Sequence, residues 1–418
     1  MRILHTSDWH VGRTVRGRSR ADEHRAVLAE IAGIAHESEV DLILVAGDQF
    51  DTGAPSAESE AIVYRALLDL AATGAHVVVL AGNHDNPRRW AAIRPLLELG
   101  NVHLADRIMR PDQGGVLDLP TPSGEVARVA LVPFLSQRAI VTGDQLMAHD
   151  AAQQSSTYAD RARRIIGALT ADFGSGDTVD VVVGHLTVAT GAPSLGGGER
   201  HAHTIFDYVV PPQAFPPSAH YVALGHLHLP HKVSGPAPTW YSGSPLHLDF
   251  GEADRGAKQV LLVEVTPDTP ARVGRVDLHA GRRMRTLRGS VEQVLAHGRE
   301  LGDDYLRVLL DEAPRPGLAD QVRQELPQAV DVSIVRDEDG SDTLHDDTSA
   351  FDADDLRQSP VALFGEYLAE QGIEDPRLDK LFAELLDDAT TDGEGDRTGE
   401  ATSERSERDD RGGGGDRR

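Results

Sequence analysis

Five short segments of this chain carry side chains that could hold metal ions: Asp8-Trp9-His10, Gly47-Asp48, Gly82-Asn83-His84-Asp85, Gly184-His185 and Gly225-His226-Leu227-His228. Each follows an apolar run that reads as a buried strand, the place where open α/β sheets build their sites. Asp8 and His10 are two residues apart, as are His226 and His228, so in extended chain each pair aims into one pocket. The glycine before four of the motifs lets the backbone turn sharply and approach a ligand closely. Carboxylate, amide and imidazole donors without sulfur suit Mn²⁺, Fe²⁺ or Zn²⁺. Two such ions set against Asp8 and Asp48 would leave a positive site that attracts a phosphodiester. They would also acidify a bridging water for in-line attack on phosphorus. A single Asp-x-His or Gly-Asp is as readily a turn and Gly-Asn-His-Asp alone is only suggestive; all five in this order point to a site.

The elements that must position these residues are legible in the same stretch. Apolar runs at 3–5, 41–46, 76–81, 128–132, 180–183 and 221–224 read as strands, with 260–265 and 273–278 as closing strands. Amphipathic stretches at 21–35 and 56–72 read as helices, and 111–125 and 191–204 as loops rich in Gly, Pro and polar residues. The alternation predicts an α/β sandwich with helices on the sheet faces. Residues 282–336 repeat the pattern on a smaller scale. Strands are expected at 284–287, 305–310 and 330–335, and helices at 290–301 and 318–326.

A polar linker is expected over 337–358, then a helical pair over 359–388. Ser359-Pro360 and Asp375-Pro376 supply the start signals, and Gly372 a stop. Leu378, Leu381, Phe382, Leu385 and Leu386 form an apolar stripe on the second helix, which favours an external partner. Residues 389–418 carry almost nothing to bury and read as a disordered tail.

Composition narrows the function classes. The chain has 418 residues, 41 basic and 67 acidic, for a net charge of −26, and no cysteine. The missing cysteine excludes a disulfide framework, a thiolate metal site and a cysteine nucleophile. The acidity argues against a generic nucleic-acid coat protein but not against a nuclease, whose site alone must be positive. No apolar run approaches the ~18 residues of a membrane span, and no signal-peptide core follows Met1, so a cytoplasmic enzyme is expected. The lysines are Lys232, Lys258 and Lys380, and every other basic residue is arginine. That bias weakens arginine as a sign of phosphate binding. Arg13, Arg16, Arg18, Arg20 and Arg25, then Arg88 and Arg89, then Arg282, Arg283, Arg285 and Arg288 are candidates either for phosphate contacts or for solvating surfaces. His5, inside the first strand, reads as a core histidine, and His201 and His203 as exposed loop residues. His231 and His247 receive no role.

In this order the metal motifs resemble the calcineurin-like metallophosphoesterases. The longer strings MRILHTSDWHVG (1–12), LVAGDQF (44–50), LAGNHD (80–85), VALGHLH (222–228) and YSGSPL (241–246) resemble the SbcD family, nuclease subunits of the bacterial SbcCD complexes. The resemblance implies a metallophosphoesterase sandwich with a small α/β capping domain that binds DNA and a C-terminal helical pair. Its domains would be 1–281, 282–336, 337–358, 359–388 and 389–418. It implies two Mn²⁺ ions, one on Asp8, His10, Asp48 and His228, the other on Asp48, Asn83, His185 and His226. His84 would meet the scissile phosphate or protonate the leaving oxygen, with Asp85 orienting its ring. It further implies ATP-dependent 3′→5′ exonuclease action on duplex DNA and endonuclease action on single strands or hairpins, in DNA repair, recombination and replication. The partners would be an SbcC-like coiled-coil ATPase and a second copy of the chain, in a heterotetramer. Two rivals remain: a small-molecule phosphodiesterase or phosphatase of the same chemistry, and a non-catalytic scaffold on this fold.

Overall fold

The computed structural model describes residues 1–147, 157–189, 209–253 and 256–335. The linker, terminal helical pair and tail expected beyond 336, and the loop bearing His201 and His203, lie outside these residues. No helix among the described residues is long and apolar enough to cross a membrane.

Two six-stranded sheets form the centre. In the first, Arg2–Thr6, Leu42–Val45, His76–Leu80 and Val102–Ala105 run parallel, and Gln259–Thr266 and Thr269–Asp277 close its far edge antiparallel. In the second, Val126–Val132, Thr178–His185, Tyr221–Gly225 and Thr239–Tyr241 run parallel. Val116–Pro120 and His231–Val233 are its antiparallel edges. The strand at Val116–Pro120 and the short helix Pro111–Gln113 correct the expected loop at 111–125. Paired to Val126–Val132, Leu119 is buried there despite the surrounding polar composition.

The two-residue alternation of side chains sets the layers. Ile3, Leu42, Leu44, Val78 and Leu80 face Val129, Leu131, Val181, Val183 and Ala223 between the sheets. Their neighbours Leu4, Ile43, Val45, Val77 and Val79 pack outward on Val27, Ile31, Val63 and Leu67 of the helices Ala21–Glu37 and Ala57–Ala71. On the other side, Val132, Val182 and Val222 pack on Ile165, Ile166 and Leu169 of the helix Tyr158–Leu169. Runs buried on both faces explain why these strands read as continuously apolar.

A separate parallel sheet joins Met284–Gly289, Tyr305–Leu310 and Ala329–Ile334. Its crossover helices are Val291–Gly298, begun by a Ser290–Gln293 capping box, and Leu318–Glu325. Val294, Leu306, Val308, Leu318 and Val322 give it a core of its own. It meets the sandwich through a small cluster of Val15, Phe250, Met284 and Tyr305.

Candidate metal centre

All five motifs lie at the C-terminal ends of parallel strands, two strands of the second sheet facing three of the first. The loops that carry them interlock through main-chain hydrogen bonds. Asp8 N donates to Gly47 O, His10 N to Asp48 O and Val11 N to Gln49 O, each at 3.0 Å. Asp8, His10 and Asp48 hold φ values of 53°, 47° and 53°, and His226 holds 100°. Such conformations disfavour non-glycine residues and concentrate at functional sites, where surrounding contacts over-determine them. Two glycines are required by close approach. A Cβ on Gly82 would lie 2.1 Å from Asp48 Oδ1, and one on Gly225 would lie 1.9 Å from Ala46 O.

The seven predicted ligands converge. Donor atoms of Asp8, His10 and His228 gather in one buried group and those of Asp48, His185 and His226 in another, and a third grouping, of His10, Asp48 and His84, overlaps these two. In the first group, His10 Nε2 and His228 Nε2 face each other at 3.2 Å. In the second, Asn83 Oδ1 is 2.9 Å from both His185 Nε2 and His226 Nδ1. Asp48 lies between them: its Oδ2 is 3.7 Å from His10 Nε2 and 3.4 Å from His185 Nε2. With metal–ligand bonds of about 2.1 Å, adjacent donors around one ion sit about 3.0–3.4 Å apart. The donor spacing and the oxygen–imidazole donor set therefore fit a pair of divalent ions.

The electrostatics agree. Burial opposes the charge on Asp48, but His185 and His84 outweigh it and hold the carboxyl well below its usual range. Burial likewise disfavours a cation at His185, yet Asp48 beside it raises this histidine to about 9. Burial dominates at His10 and lowers it, against the pull of Asp51 and Asp48. A carboxylate this depressed, among crowded imidazoles, is a site arranged for positive charge.

Further contacts orient the donors. Ser7 Oγ donates to Asp8 Oδ2 at 2.5 Å and lies 2.8 Å from Ser242 Oγ, while His226 N donates to Asp8 Oδ1 at 3.0 Å. His185 Nδ1–H donates to Ala46 O at 2.8 Å, which turns Nε2 toward Asp48 and Asn83. His84 N donates to Asp48 Oδ1 at 2.8 Å, and its ring stands edge-on to His10 with centroids 4.8 Å apart. Its Nδ1–H donates to the carbonyl of Asp51 at 2.8 Å.

That last contact corrects the expected role of Asp85 as the group orienting the His84 ring. Asp85 Oδ2 accepts from Gly82 N at 2.8 Å and Gln49 N at 3.3 Å, and Oδ1 from Phe50 N at 3.1 Å. It ties two ligand-bearing loops together. Burial and the nearby Asp48 push it up to about 7.

Residues that sequence reasoning missed include Asp51, Ser7, Ser242, Glu252 and Lys258. Only the serines had a signal, as members of strings that carry the resemblance. His5 is buried, with Nδ1 2.9 Å from Tyr221 Oη, as expected of a core histidine. His231 stacks on Tyr241 and His247 Nε2 donates to Gly256 O, outside all three donor groups. Most of the candidate arginines are engaged within the chain. Arg13 pairs with Asp51, Arg16 with Asp331, Arg20 with Glu23, Arg25 with Asp22 and Glu58, Arg89 with Glu60, Arg285 with Asp304 and Arg288 with Asp311. Arg18 donates to Pro327 O, and Arg282 lies over the Tyr305 ring. Arg88 and Arg283 have no ion-pair partner among the described residues.

Residues 1–230 match the family described as Calcineurin-like phosphoesterase. The SbcD subunit of the SbcCD nuclease of Rhodobacter capsulatus is 38% identical over 260 residues, covering 60% of this chain and 64% of that protein. The SbcD subunit from Bacillus subtilis is 36% identical over 290 residues, 68% of this chain and 71% of the other. The one from Escherichia coli strain K12 is 30% identical over 359 residues, 83% and 80%. The chain belongs to the SbcD family of calcineurin-like phosphoesterases. Family membership and donor geometry agree on a metal-dependent nuclease of the two-metal phosphodiester-hydrolase class. The match to the Rhodobacter protein spans just under two thirds of its length, at 64%.

Proposed function

We propose that this chain is the DNA-cleaving subunit of an SbcCD-type complex. The observation that carries the reading is the convergence of seven donor residues, from five loops, at spacings suited to two ions shared through Asp48. One ion is assigned to Asp8, His10, Asp48 and His228, the other to Asp48, Asn83, His185 and His226, with Mn²⁺ the ion proposed. When bound, the ions supply Lewis acidity and lower the pKa of coordinated water. The residues do the rest. Asp48 holds both positions in register. His84, with Nδ1–H committed to the Asp51 carbonyl, presents Nε2 to the phosphate and to the leaving oxygen; as an imidazolium, protonated on both nitrogens, it would give the Nε2 proton to that oxygen and be left as the neutral Nδ1–H ring.

The substrate proposed is DNA, cut 3′→5′ from duplex ends under ATP control by an SbcC-like partner, and endonucleolytically on single strands and hairpins, in the cytoplasm. The names of the relatives support a complex with a second, different polypeptide. Residues 282–336 are proposed as a DNA-binding capping domain on a nuclease domain of 1–281. Residues 359–388 are proposed as the partner-binding segment, joined by a linker over 337–358 and followed by a charged tail over 389–418. A homodimer has a candidate surface. Leu68, Leu96 and Leu99, 48%, 63% and 86% exposed, lie at the adjoining ends of the helices Ala57–Ala71 and Pro87–Leu97 and the turn after them.

The experiment is cleavage of 3′-labelled duplex, hairpin and single-stranded DNA by the purified chain, with and without the ATPase, in Mn²⁺ and after chelation. Metal-dependent DNA cleavage is expected. Hydrolysis of small phosphodiesters but not DNA would favour the small-molecule enzyme, and two bound ions with no hydrolysis the scaffold.

A further inference from the structure

The first donor group touches a buried carboxylate well outside the five motifs. Glu252, on the short helix Phe250–Ala253, is fully buried. Its Oε1 is 3.2 Å from His228 Nδ1. Its Oε2 accepts from Lys258 Nζ at 2.7 Å and Leu248 N at 3.1 Å. Lys258 Nζ also donates to Ser244 Oγ at 2.8 Å and to the His228 carbonyl at 3.2 Å. Lys258 and His228 together hold this carboxyl down at about 2 despite its burial. A buried pair of this kind is a poor stability device, because desolvation offsets its attraction. It is a good orientation device: a carboxylate that accepts from one ring nitrogen fixes which nitrogen is left to bind a metal.

The same helix touches the accessory sheet. Phe250 packs with Met284 and Tyr305 of that sheet and with Val15, five residues after His10. The Arg307 guanidinium lies 4.8 Å over the Phe250 ring. The Val15 hairpin is held by the accessory sheet as well, through Arg16–Asp331 at 2.8 Å and Arg18 to the Pro327 carbonyl at 2.6 Å. Segments next to His10 and beneath His228 thus both rest on the sheet formed by residues 284–334.

We propose that Glu252 is a positioning residue for the first ion pocket: it receives the Nδ1–H of His228, so that Nε2 faces Asp8 and His10, and its helix takes its placement from the accessory sheet. This rests on the reading of His228 as a ligand. It also gives the YSGSPL string a purpose, since Ser242 braces Ser7 and Asp8 while Ser244 braces Lys258.

The test has two arms on the full chain. Nitrogen-15 NMR of labelled histidine in the metal-free parent at pH 8 reads the tautomer without a mutation. A protonated Nδ1 with bare Nε2 at His228 is expected, and a protonated Nε2 with bare Nδ1 would overturn the proposal. Calorimetric Mn²⁺ titration then compares the parent with Glu252→Gln. One of the two sites should weaken about 10–100-fold, the range for loss of such a partner, and the other should keep its affinity. Met284→Ala, which removes packing of the accessory sheet against Phe250, should weaken the same site by a smaller factor. If both sites keep parental affinity in a folded Glu252→Gln chain, Glu252 is only structural and the proposal fails. If the parent itself binds fewer than two ions, the metal reading fails instead.

Discussion

The two halves of the metal centre are built differently. Around Asp48, Asn83, His185 and His226, the supports are largely main chain. The Ala46 carbonyl orients His185, and the Gly82, Gln49 and Phe50 amides clamp Asp85. Glycines allow those strands to meet at contact distance. Around Asp8, His10 and His228, the supports are side chains: Ser7, Ser242, Glu252 and Lys258, resting partly on the accessory sheet. The difference teaches where each half is vulnerable. The main-chain half fails when the backbone is pushed. The side-chain half responds to residues far away, and so to whatever moves the accessory sheet.

Asp48 belongs to both halves, so Asp48→Asn should erase the distinction. Asparagine tolerates the left-handed backbone at this position, so the change isolates the charge. Both ions should be lost and DNA cleavage should fall by more than about 10³-fold, read by metal analysis and end-labelled DNA. His84→Gln should separate chemistry from ligation. Cleavage is expected to drop about 10²–10⁴-fold with two ions retained, and loss of metal in parallel would make His84 a ligand.

Gly82→Ala presses chiefly on the main-chain half. Its new Cβ would meet Asp48 Oδ1 and N, at 2.1 and 2.4 Å. Thermal denaturation should show a loss of about 1–3 kcal/mol from the forced shift. Mn²⁺ titration should weaken the Asp48–Asn83–His185 site more than the other, and equal weakening would blur the comparison. The last test concerns pH. Burial lowers His5, between the sheets, to about 3, and His24, beside Arg20, to about 4, where Arg20 adds to the effect of burial. Below about 6.5 the unfolded chain takes up protons that the folded chain refuses, so stability declines as pH falls toward those values. His5→Gln should flatten that decline between about pH 6.5 and 4 in urea titrations, leaving the share from His24. An unchanged slope would contradict the burial argument.

The residues whose donor atoms converge were legible because each sits just past a buried strand, so type, spacing and strand period indicate where it points. The sandwich was legible for the same reason, in runs such as Leu42–Val45 that are buried on both faces. The partnership of His84 and Asp85 implied by the resemblance does not appear as a contact, because neighbours in a tight turn can point apart. The turn carries Asp85 back onto the amides of Gly82, Gln49 and Phe50, and the His84 ring toward Asp51. The arginines could not be resolved from sequence. Arg16 meets Asp331 across more than 300 positions, and no local pattern announces such a pair. Glu252 was invisible for the same reason, as one acid among many until the fold set it under His228. The strand at Val116–Pro120 lacked an apolar run and exists because a neighbouring strand pairs with it.

The claim that these residues form one two-ion site, shared through Asp48, meets its most direct test in anomalous diffraction from crystals of the full chain loaded with Mn²⁺. Two peaks are expected, both within bonding distance of Asp48, one also touching Asp8, His10 and His228 and the other Asn83, His185 and His226. A single peak, or two peaks that do not share Asp48, would contradict the account.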